Sequence, residues 1–168
     1  EDLLNHLRAK GYSPKEMTDA GIVLERSARE SGSQPYRDRF HNRVLFPIRD
    51  GMGKMCGFGG RILDPNDVPK FLNSPQTVLF DKGRLLYGLD QARKAIRAAE
   101  EVVIVEGYLD AIVLHQAGYQ NTVSPMGTAL TEDQFRLLKR FTRRMTLALD
   151  ADAAGAKATM RGLEMARE

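Results

Sequence analysis

The sequence predicts an α/β fold in which a parallel sheet flanked by helices follows a smaller, basic part of mixed α+β structure. Two observations predict it. Residues 102–105 and 145–149 are short apolar runs, as expected of strands buried in a parallel sheet. Helical patterns separate and follow these runs, and the order β-α-β-α-β-α implies parallel strands joined by right-handed crossovers. We place one domain over residues 1–95 and the other over residues 96–168.

The chain is expected to begin with short helices over residues 3–30. Leu3, Leu4 and Leu7 recur at helical spacing, and Ser13-Pro14 has the residue types that begin a second helix. No strand is predicted in this segment.

A β-hairpin is predicted next. Residues 44–48 form an apolar run that suits a strand, and Asp50-Gly51 after it is a strong turn signal. Residues 55–63 would be the returning strand. Its three glycines suggest that another group passes close to the backbone, because glycine otherwise weakens a strand.

The second half alternates between helices and strands. Residues 89–100 are rich in Ala, Arg and Lys and predict a surface helix. Further elements are expected as a helix over residues 109–116, a short strand over 121–124, a helix from Thr131 to about Arg144, and a last helix from about Gly155.

Two acids directly follow the two buried runs. Glu106 comes after the first run and Asp150 after the second, while Asp110 and Asp152 lie four and two residues further on, respectively. Because ligands bind outside the carboxyl ends of the strands in an open parallel sheet, we expect Glu106 and Asp150 to converge. Clustered carboxylates repel each other unless cations neutralise them, and hard oxygen ligands suit Mg²⁺ or Mn²⁺.

Each acid also has an ordinary structural explanation. A single acid after a strand is usually a helix cap or a solvated turn, and Asp110 or Asp152 alone would be an N-cap. The spacing by itself leaves both interpretations open. An EF-hand loop beginning at Asp150 is excluded, because its fifth position would be Ala154 and its twelfth Arg161.

Short motifs then carry a resemblance to a known family. Residues 106–110 and 150–155 resemble the two signature motifs of the Toprim domain, which primases, topoisomerases and some nucleases share, and residues 124–128 resemble the loop between them. In the first half, four further motifs stand in the order typical of DnaG-type bacterial primases, at residues 36–49, 57–61, 70–75 and 80–88. The whole chain therefore resembles a primase catalytic core.

The resemblance implies a DNA-directed RNA polymerase, a nucleotidyltransferase that makes short RNA primers on single-stranded DNA by two-metal catalysis. It implies Mg²⁺, or Mn²⁺, held by Glu106, Asp150 and Asp152, with Asp110 at the rim. The implied nucleotide-binding residues are Lys70, Phe71, Asn73 and Lys82, and the implied template-binding residues are Arg39, Arg43 and Arg61. Lys70 and Lys82 are also implied to be catalytic, because they would stabilise the triphosphate. The strand glycines 57, 59 and 60 would let the template approach the backbone. Phe71 and Asp81 stand where many relatives have Tyr and His, and neither change removes a catalytic group.

The resemblance also implies partners and missing parts. The expected partners are a single-stranded DNA template, nucleoside triphosphates and, through a domain absent here, the replicative helicase. The protein is expected to be a cytoplasmic, nucleoid-associated monomer. The Toprim domain is expected to be truncated before a third acidic motif, and the zinc ribbon is expected to be missing.

Composition agrees with these expectations without proving them. The net charge of +3 permits nucleic-acid binding. The single cysteine, Cys56, excludes an internal disulfide, and no apolar run approaches the ~20 residues of a membrane span.

Two alternatives remain. One is another Toprim enzyme, although a topoisomerase needs a separate tyrosine domain and a nuclease would not need the motifs around Lys70 and Lys82. The other is a catalytically inert module that binds single-stranded nucleic acid.

Overall fold

The computed structural model describes residues 2–27, 35–127 and 129–150 of the chain. The chain divides into two compact units. Unit 1 comprises Glu1–Ile48 and Cys56–Asp81, and unit 2 comprises Arg49–Met55 and Lys82–Glu168. The boundary near residue 95 stays a prediction. None of the described helices is long and apolar enough to cross a lipid bilayer.

The first seven elements begin with two short helices and continue with strands. In chain order they are α1 (Asp2–Ala9), α2 (Pro14–Asp19), β1 (Val23–Glu25), β2 (Tyr36–Asp38), β3 (Arg43–Arg49), β4 (Met55–Ile62) and β5 (Phe71–Asn73). β1 and β2 form a two-stranded antiparallel sheet, and a second sheet has the order β3-β4-β5. The predicted β-hairpin is confirmed as β3 and β4.

The helix at residues 14–19 begins as the sequence predicts. The Ser13 hydroxyl oxygen accepts the Glu16 amide at 3.2 Å, and the Glu16 carboxylate accepts the Ser13 amide at 2.8 Å. This reciprocal pair satisfies two of the amides that a helix N-terminus leaves without partners.

The prediction of helices alone over residues 3–30 was wrong. Val23–Glu25 forms β1, with Val23 paired to Asp38 in β2 and packed on Leu4 and Met17. The strand depends on a partner far along the chain, which the local hydrophobic pattern cannot reveal.

Unit 2 has the predicted alternation of helices and strands. Its elements are α3 (Leu89–Ala99), β6 (Val102–Val105), α4 (Tyr108–Gln116), β7 (Thr122–Val123), α5 (Glu132–Lys139) and β8 (Met145–Ala148). The three strands are parallel in the order β7-β6-β8, so the predicted α/β class is confirmed. β6 is the central strand, and its buried side chains pack in one hydrophobic core with side chains from α3 and α5, such as Ile96 and Leu138.

Two expectations for this unit need correction. α5 ends at Lys139 instead of Arg144, because Thr142 accepts the Arg144 amide at 3.1 Å and donates to the Glu100 carbonyl at 2.6 Å, which directs the chain into β8. β8 is not fully buried: its residues alternate between half-buried and exposed. The helix expected from about residue 155 lies outside the described residues.

Candidate functional site

Two of the predicted acids follow neighbouring parallel strands. β6 pairs with β8 so that Val105 lies opposite Ala148. Glu106 is the first residue after β6, and Asp150 is the second after β8. The connection from β6 leads to β7 on one side, and the next connection returns past β6 to β8 on the other. The boundary between β6 and β8 is therefore the topological switch point, where open α/β sheets bind ligands.

A buried loop fixes the backbone at Glu106. The Ser124 hydroxyl donates to the Glu106 carbonyl at 2.7 Å, and the Gly127 amide donates to the same oxygen at 2.8 Å. The Ser124 oxygen in turn accepts the Met126 amide at 2.8 Å. Met126 and Gly127 have φ angles of 63° and 76°, so the loop turns tightly around the strand end. Ser124 is fully buried, so the end of β6 is rigidly placed.

Asp110 has a structural contact of its own. Its carboxylate accepts the Gly107 amide at 2.9 Å, from the third position of α4. An acid at this position also interacts favourably with the helix macrodipole. The N-cap of α4 is Gly107, so Asp110 supports the cap from the third helical position and is not the N-cap itself. The role of Asp110 as a rim ligand stays a prediction.

The other acids differ in what the structure says of them. Asp150 is exposed, and Glu106 is half-buried. Asp152 lies outside the described residues. Within residues 2–27, 35–127 and 129–150, no three His, Cys, Asp or Glu side chains are arranged to hold a metal ion. The metal-binding roles of Glu106, Asp150 and Asp152 stay predictions, but the carboxylates at the ends of β6 and β8 are the hard oxygen donors that Mg²⁺ and Mn²⁺ prefer.

Lys82 lies on a segment that α5 holds in place. The fully buried Gln134 donates its side-chain amide to the Lys82 carbonyl at 3.0 Å and to the Leu85 carbonyl at 2.7 Å. Thr131, the N-cap of α5, donates to the Gly83 carbonyl at 2.5 Å. Partial burial lowers the pKa of Lys82 from its ordinary value of 10.5. Its ammonium group is incompletely hydrated, so an anionic ligand would stabilise it.

Three of the predicted binding residues of unit 1 form one cluster. Arg61 of β4 lies opposite Phe71 of β5, and its guanidinium carbon is 5.7 Å from the centre of the Phe71 ring. The Lys70 ammonium nitrogen lies at the same distance from this ring. The Phe71 side chain is 43% exposed. An accessible ring beside two cations can stack on a base while the cations contact phosphates.

Arg39 is tied into the protein more firmly than the sequence suggests. Its guanidinium donates two hydrogen bonds to the Asn73 carbonyl, at 2.9 and 3.3 Å. Burial, and then the neighbouring Arg37, lower the pKa of Arg39. Arg43 Nη1 and Asn73 Oδ1 are buried and have no hydrogen-bond partner among the described residues. Both atoms retain unused hydrogen-bonding capacity, which buried polar atoms seldom do.

The strand glycines lie close to other parts of the protein, and their predicted role in admitting the template backbone stays a prediction. Glycines 57, 59 and 60 are buried. A Cβ atom at Gly57 would lie 2.7 Å from Ser74 Oγ and 2.8 Å from Phe80 Cδ2, and one at Gly60 would lie 3.0 Å from Phe40 Cδ1. The close approach that the glycines permit is made by side chains of the protein itself.

Sequence reasoning missed the supporting roles of two residues. Ser124 fixes the end of β6, and Gln134 anchors the Lys82 segment. Ser124 stands in the loop motif that the resemblance identified, and Gln134 in the cap of α5. Those signals could have drawn attention to both residues but not to their contact partners.

Comparison with known proteins gives two family matches and several close relatives. Residues 1–93 match the DNA primase catalytic core, N-terminal domain, and residues 100–168 match the Toprim domain. The DNA primase of Clostridium acetobutylicum is 46% identical over 166 residues, which are 99% of this chain and 26% of that protein. The DNA primase of Deinococcus radiodurans is 47% identical, over 98% of this chain and 28% of its own.

Solved structures agree with these matches. A DnaG primase catalytic domain bound to single-stranded DNA is 41% identical and superimposes with a TM-score of 0.83, over 96% of this chain and 50% of that one. The RNA polymerase domain of Mycobacterium tuberculosis primase DnaG is 33% identical, with a TM-score of 0.85, over 98% and 54% of the respective chains.

The chain spans about a quarter of the length of the curated relatives it matches. The match to the N-terminal domain covers more than half of the chain. The segment that matches the Toprim domain carries the parallel sheet and the predicted acids. The chain belongs to the family of DnaG-type DNA primase catalytic cores.

Proposed function

We propose that the chain is part of the catalytic core of a DNA primase, a DNA-directed RNA polymerase that makes short RNA primers on single-stranded DNA. One observation carries the proposal: Glu106 and Asp150 follow neighbouring parallel strands at the topological switch point of a Toprim-type sheet. Support comes from relatives named DNA primase and from a similar catalytic domain described as bound to single-stranded DNA.

In this proposal the acids of unit 2 hold divalent cations. Glu106, Asp150 and Asp152 are the ligands, and Asp110 supports them from the rim while capping α4. Bound Mg²⁺, or Mn²⁺, would neutralise negative charge that develops on the oxygens during phosphoryl transfer. The buried hydrogen bonds from Ser124 and Gly127 hold the Glu106 backbone, so its carboxylate needs little reorganisation.

The cationic residues bind the substrates. Lys70 and Lys82 contact the triphosphate of the incoming nucleotide, Asn73 lies beside this nucleotide, and the Phe71 ring stacks on a base. The 3′ hydroxyl of the first nucleotide attacks the α-phosphate of the second, and pyrophosphate leaves.

The template lies along a basic surface of unit 1. Arg43 and Arg61 contact its phosphates, and Arg39 contributes charge while it anchors the end of β5. Binding through phosphates reads little sequence and weakens steeply with salt. The helicase partner, monomeric state and cytoplasmic location belong to the same proposal as properties of the whole protein.

Template-directed synthesis tests the proposal. With single-stranded DNA, nucleoside triphosphates and Mg²⁺, the wild-type protein should yield RNA dinucleotides, and Glu106→Gln should yield none. Glu132→Gln removes one exposed carboxylate from α5 and is the matched control, which should keep wild-type activity.

Full activity of Glu106→Gln would contradict the proposal. Persistent DNA binding without product, both from this chain and from a longer one that includes the expected third acidic motif, would favour the inert binding module instead.

A further inference from the structure

The amino ends of the parallel strands form an edge of the sheet that is positively charged, whereas the edge at their carboxyl ends carries the predicted acids. Residues 99–101 lead into β6 and residues 140–144 lead into β8, so both segments lie at the amino ends of parallel strands. The four-residue strands separate this edge from the acidic edge by about 10–13 Å. The amino edge therefore lies on the same unit as Glu106 but outside the predicted catalytic site.

Several contacts join the two segments into one surface. The Arg144 guanidinium donates to the Ala99 carbonyl at 2.9 Å, and the Val102 amide donates to the Arg144 carbonyl at 3.0 Å. The Arg97 guanidinium carbon lies 5.0 Å from the centre of the Phe141 ring. Two of the arginines are thus partly ordered before any ligand arrives, which lowers the entropic cost of binding.

We define the amino-edge basic patch as five exposed cations of these segments and of the last turns of α3 and α5: Arg97, Lys139, Arg140, Arg143 and Arg144. Lys139, Arg140 and Arg143 take part in no ion pair among the described residues. The nearby acids are Glu100 and Glu101, and the Glu101 carboxylate accepts a hydrogen bond from Thr146 at 2.6 Å. The patch keeps a net charge of about three positive units.

Two other arginines of unit 2 show how the same residue type looks when it has structural partners. Arg136 pairs with Glu132 at 3.1 Å and Asp133 at 3.5 Å, and Arg84 pairs with Asp133 at 3.3 Å. These ion pairs neutralise much of their charge. The cations of the patch lack this compensation, so their charge remains available to a ligand.

The surroundings of the patch favour nucleic acid over a protein partner. The structure describes all of residues 89–107 and 129–150, and in these two ranges no large hydrophobic side chain is exposed. Protein interfaces are built around buried aromatic and aliphatic anchors, whereas nucleic-acid interfaces are polar and strongly positive. Four of the five cations are arginine, whose planar fork matches phosphate.

We propose that the amino-edge basic patch is a second binding surface for the phosphate backbone of a nucleic-acid strand, independent of base sequence. This second proposal rests on the proposed function in one respect: the bound strand is taken to be single-stranded DNA. A strand held here is anchored away from the acidic edge, so the patch raises affinity without contacting the reacting groups.

The salt dependence of DNA binding tests this proposal. Fluorescence anisotropy with a fluorescein-labelled oligo-dT, in EDTA and over a series of KCl concentrations, gives the slope of log affinity against log salt. Arg140→Ala/Arg143→Ala should bind more weakly and lower the slope by about 1.4, since each single-strand phosphate contact contributes about 0.7. Arg84→Ala/Arg136→Ala likewise removes two arginines, but from ion-paired positions, and should keep the wild-type slope.

Equal slopes for the two double variants, with folding verified by circular dichroism, would overturn the proposal. The proposal would also be overturned if the patch substitutions weakened binding of poly-glutamate but not of DNA, a result that would indicate an acidic protein partner. Because the titration contains neither nucleotides nor divalent metal, its outcome is separate from primer synthesis. If the wild-type protein made no primers but the two double variants still differed in slope, only the proposed function would be refuted.

Discussion

The two units present their candidate residues in different ways. In unit 1 the binding residues lie on or directly beside strands of antiparallel sheets and contact their neighbours, as Arg39 contacts Asn73 and as Arg61 contacts Phe71. In unit 2 the acids Glu106 and Asp150 lie just beyond the ends of parallel strands, where the backbone positions them. Substitutions in unit 1 should therefore change stability as well as binding, whereas the acids of unit 2 can change chemistry alone.

Gln134→Leu should cause the largest loss of stability, because side-chain contacts of Gln134 hold the Lys82 segment of unit 2. It therefore tests whether unit 2 also depends on side-chain contacts at its predicted binding residues. The substitution removes the Gln134 donor from two partly buried carbonyls, at residues 82 and 85, and leaves the Thr131 amide without its acceptor. At about 1–3 kcal/mol for each unsatisfied group, with partial relaxation, the free energy of unfolding should fall by about 3–5 kcal/mol. Urea denaturation measures this loss, and Gln116→Leu on the exposed side of α4 is the control. A loss below about 1 kcal/mol would show that the segment is held by other contacts.

Arg39→Ala tests whether a predicted DNA contact also holds unit 1 together. The variant loses both hydrogen bonds to the Asn73 carbonyl and the packing of a half-buried side chain. The free energy of unfolding should fall by about 1–3 kcal/mol, measured by urea denaturation. Arg143→Ala, which removes an exposed arginine of the basic patch, should change it by no more than about 0.5 kcal/mol. Equal effects of the two variants would remove the distinction between anchored and solvent-facing arginines.

Phe71→Leu separates the aromatic ring from simple apolar packing. The exposed ring contacts two cations, and each cation–π contact at such a site contributes about 0.5–1 kcal/mol. Unfolding free energy should fall by about 1 kcal/mol, while affinity for oligo-dT falls by an amount typical of a lost base stack, about 1–3 kcal/mol. Phe71→Tyr keeps the ring and should restore binding. Unchanged affinity in Phe71→Leu would mean that no base stacks there.

Asp150→Asn should leave the fold nearly unchanged. Its side chain is exposed, so without metal the unfolding free energy should change by no more than about 0.5 kcal/mol in thermal or urea denaturation. With Mg²⁺ present, the wild type should gain stability and the variant should gain less, because only binding to the folded state stabilises it. A large loss in the absence of metal would show that Asp150 has a structural role like that of Arg39.

Lys82→Met should give the smallest effect, visible as a change in pH dependence. The pKa of Lys82 is lower in the folded chain than its ordinary value of 10.5. Between these two values the unfolded chain binds more protons than the folded chain, so wild-type stability rises with pH there. The variant should be slightly more stable than wild type at pH 7, and the difference should narrow towards pH 10.5 in urea titrations. A difference that does not vary with pH would contradict the burial of the charge.

Much of the fold followed from the sequence because its signals are local. The apolar run at residues 102–105 and the start of a helix at Thr131 depend on neighbouring residues, and both were correctly predicted. β1 and β5 were missed because each needs a pairing partner elsewhere in the chain. The early end of α5 was missed because Thr142 bonds to Glu100, a residue 42 positions away.

The candidate site divides along the same line. Pairing of β6 with β8 places Glu106 and Asp150 at one edge of the sheet, and the two apolar runs that form these strands are visible in the sequence. The burial of glycines 57 and 60 and the anchoring of Arg39 depend on which side chains surround them. A motif identifies such residues without showing whether they face a ligand or the protein.

A crystal of the protein soaked in Mn²⁺ and measured for anomalous scattering tests the predicted metal site directly. A Mn²⁺ peak is expected at the carboxyl edge of the sheet, coordinated by oxygens of Glu106 and Asp150, and no such peak is expected in Glu106→Gln crystals. Mn²⁺ bound only elsewhere, or a peak that persists unchanged in the variant, would contradict this prediction.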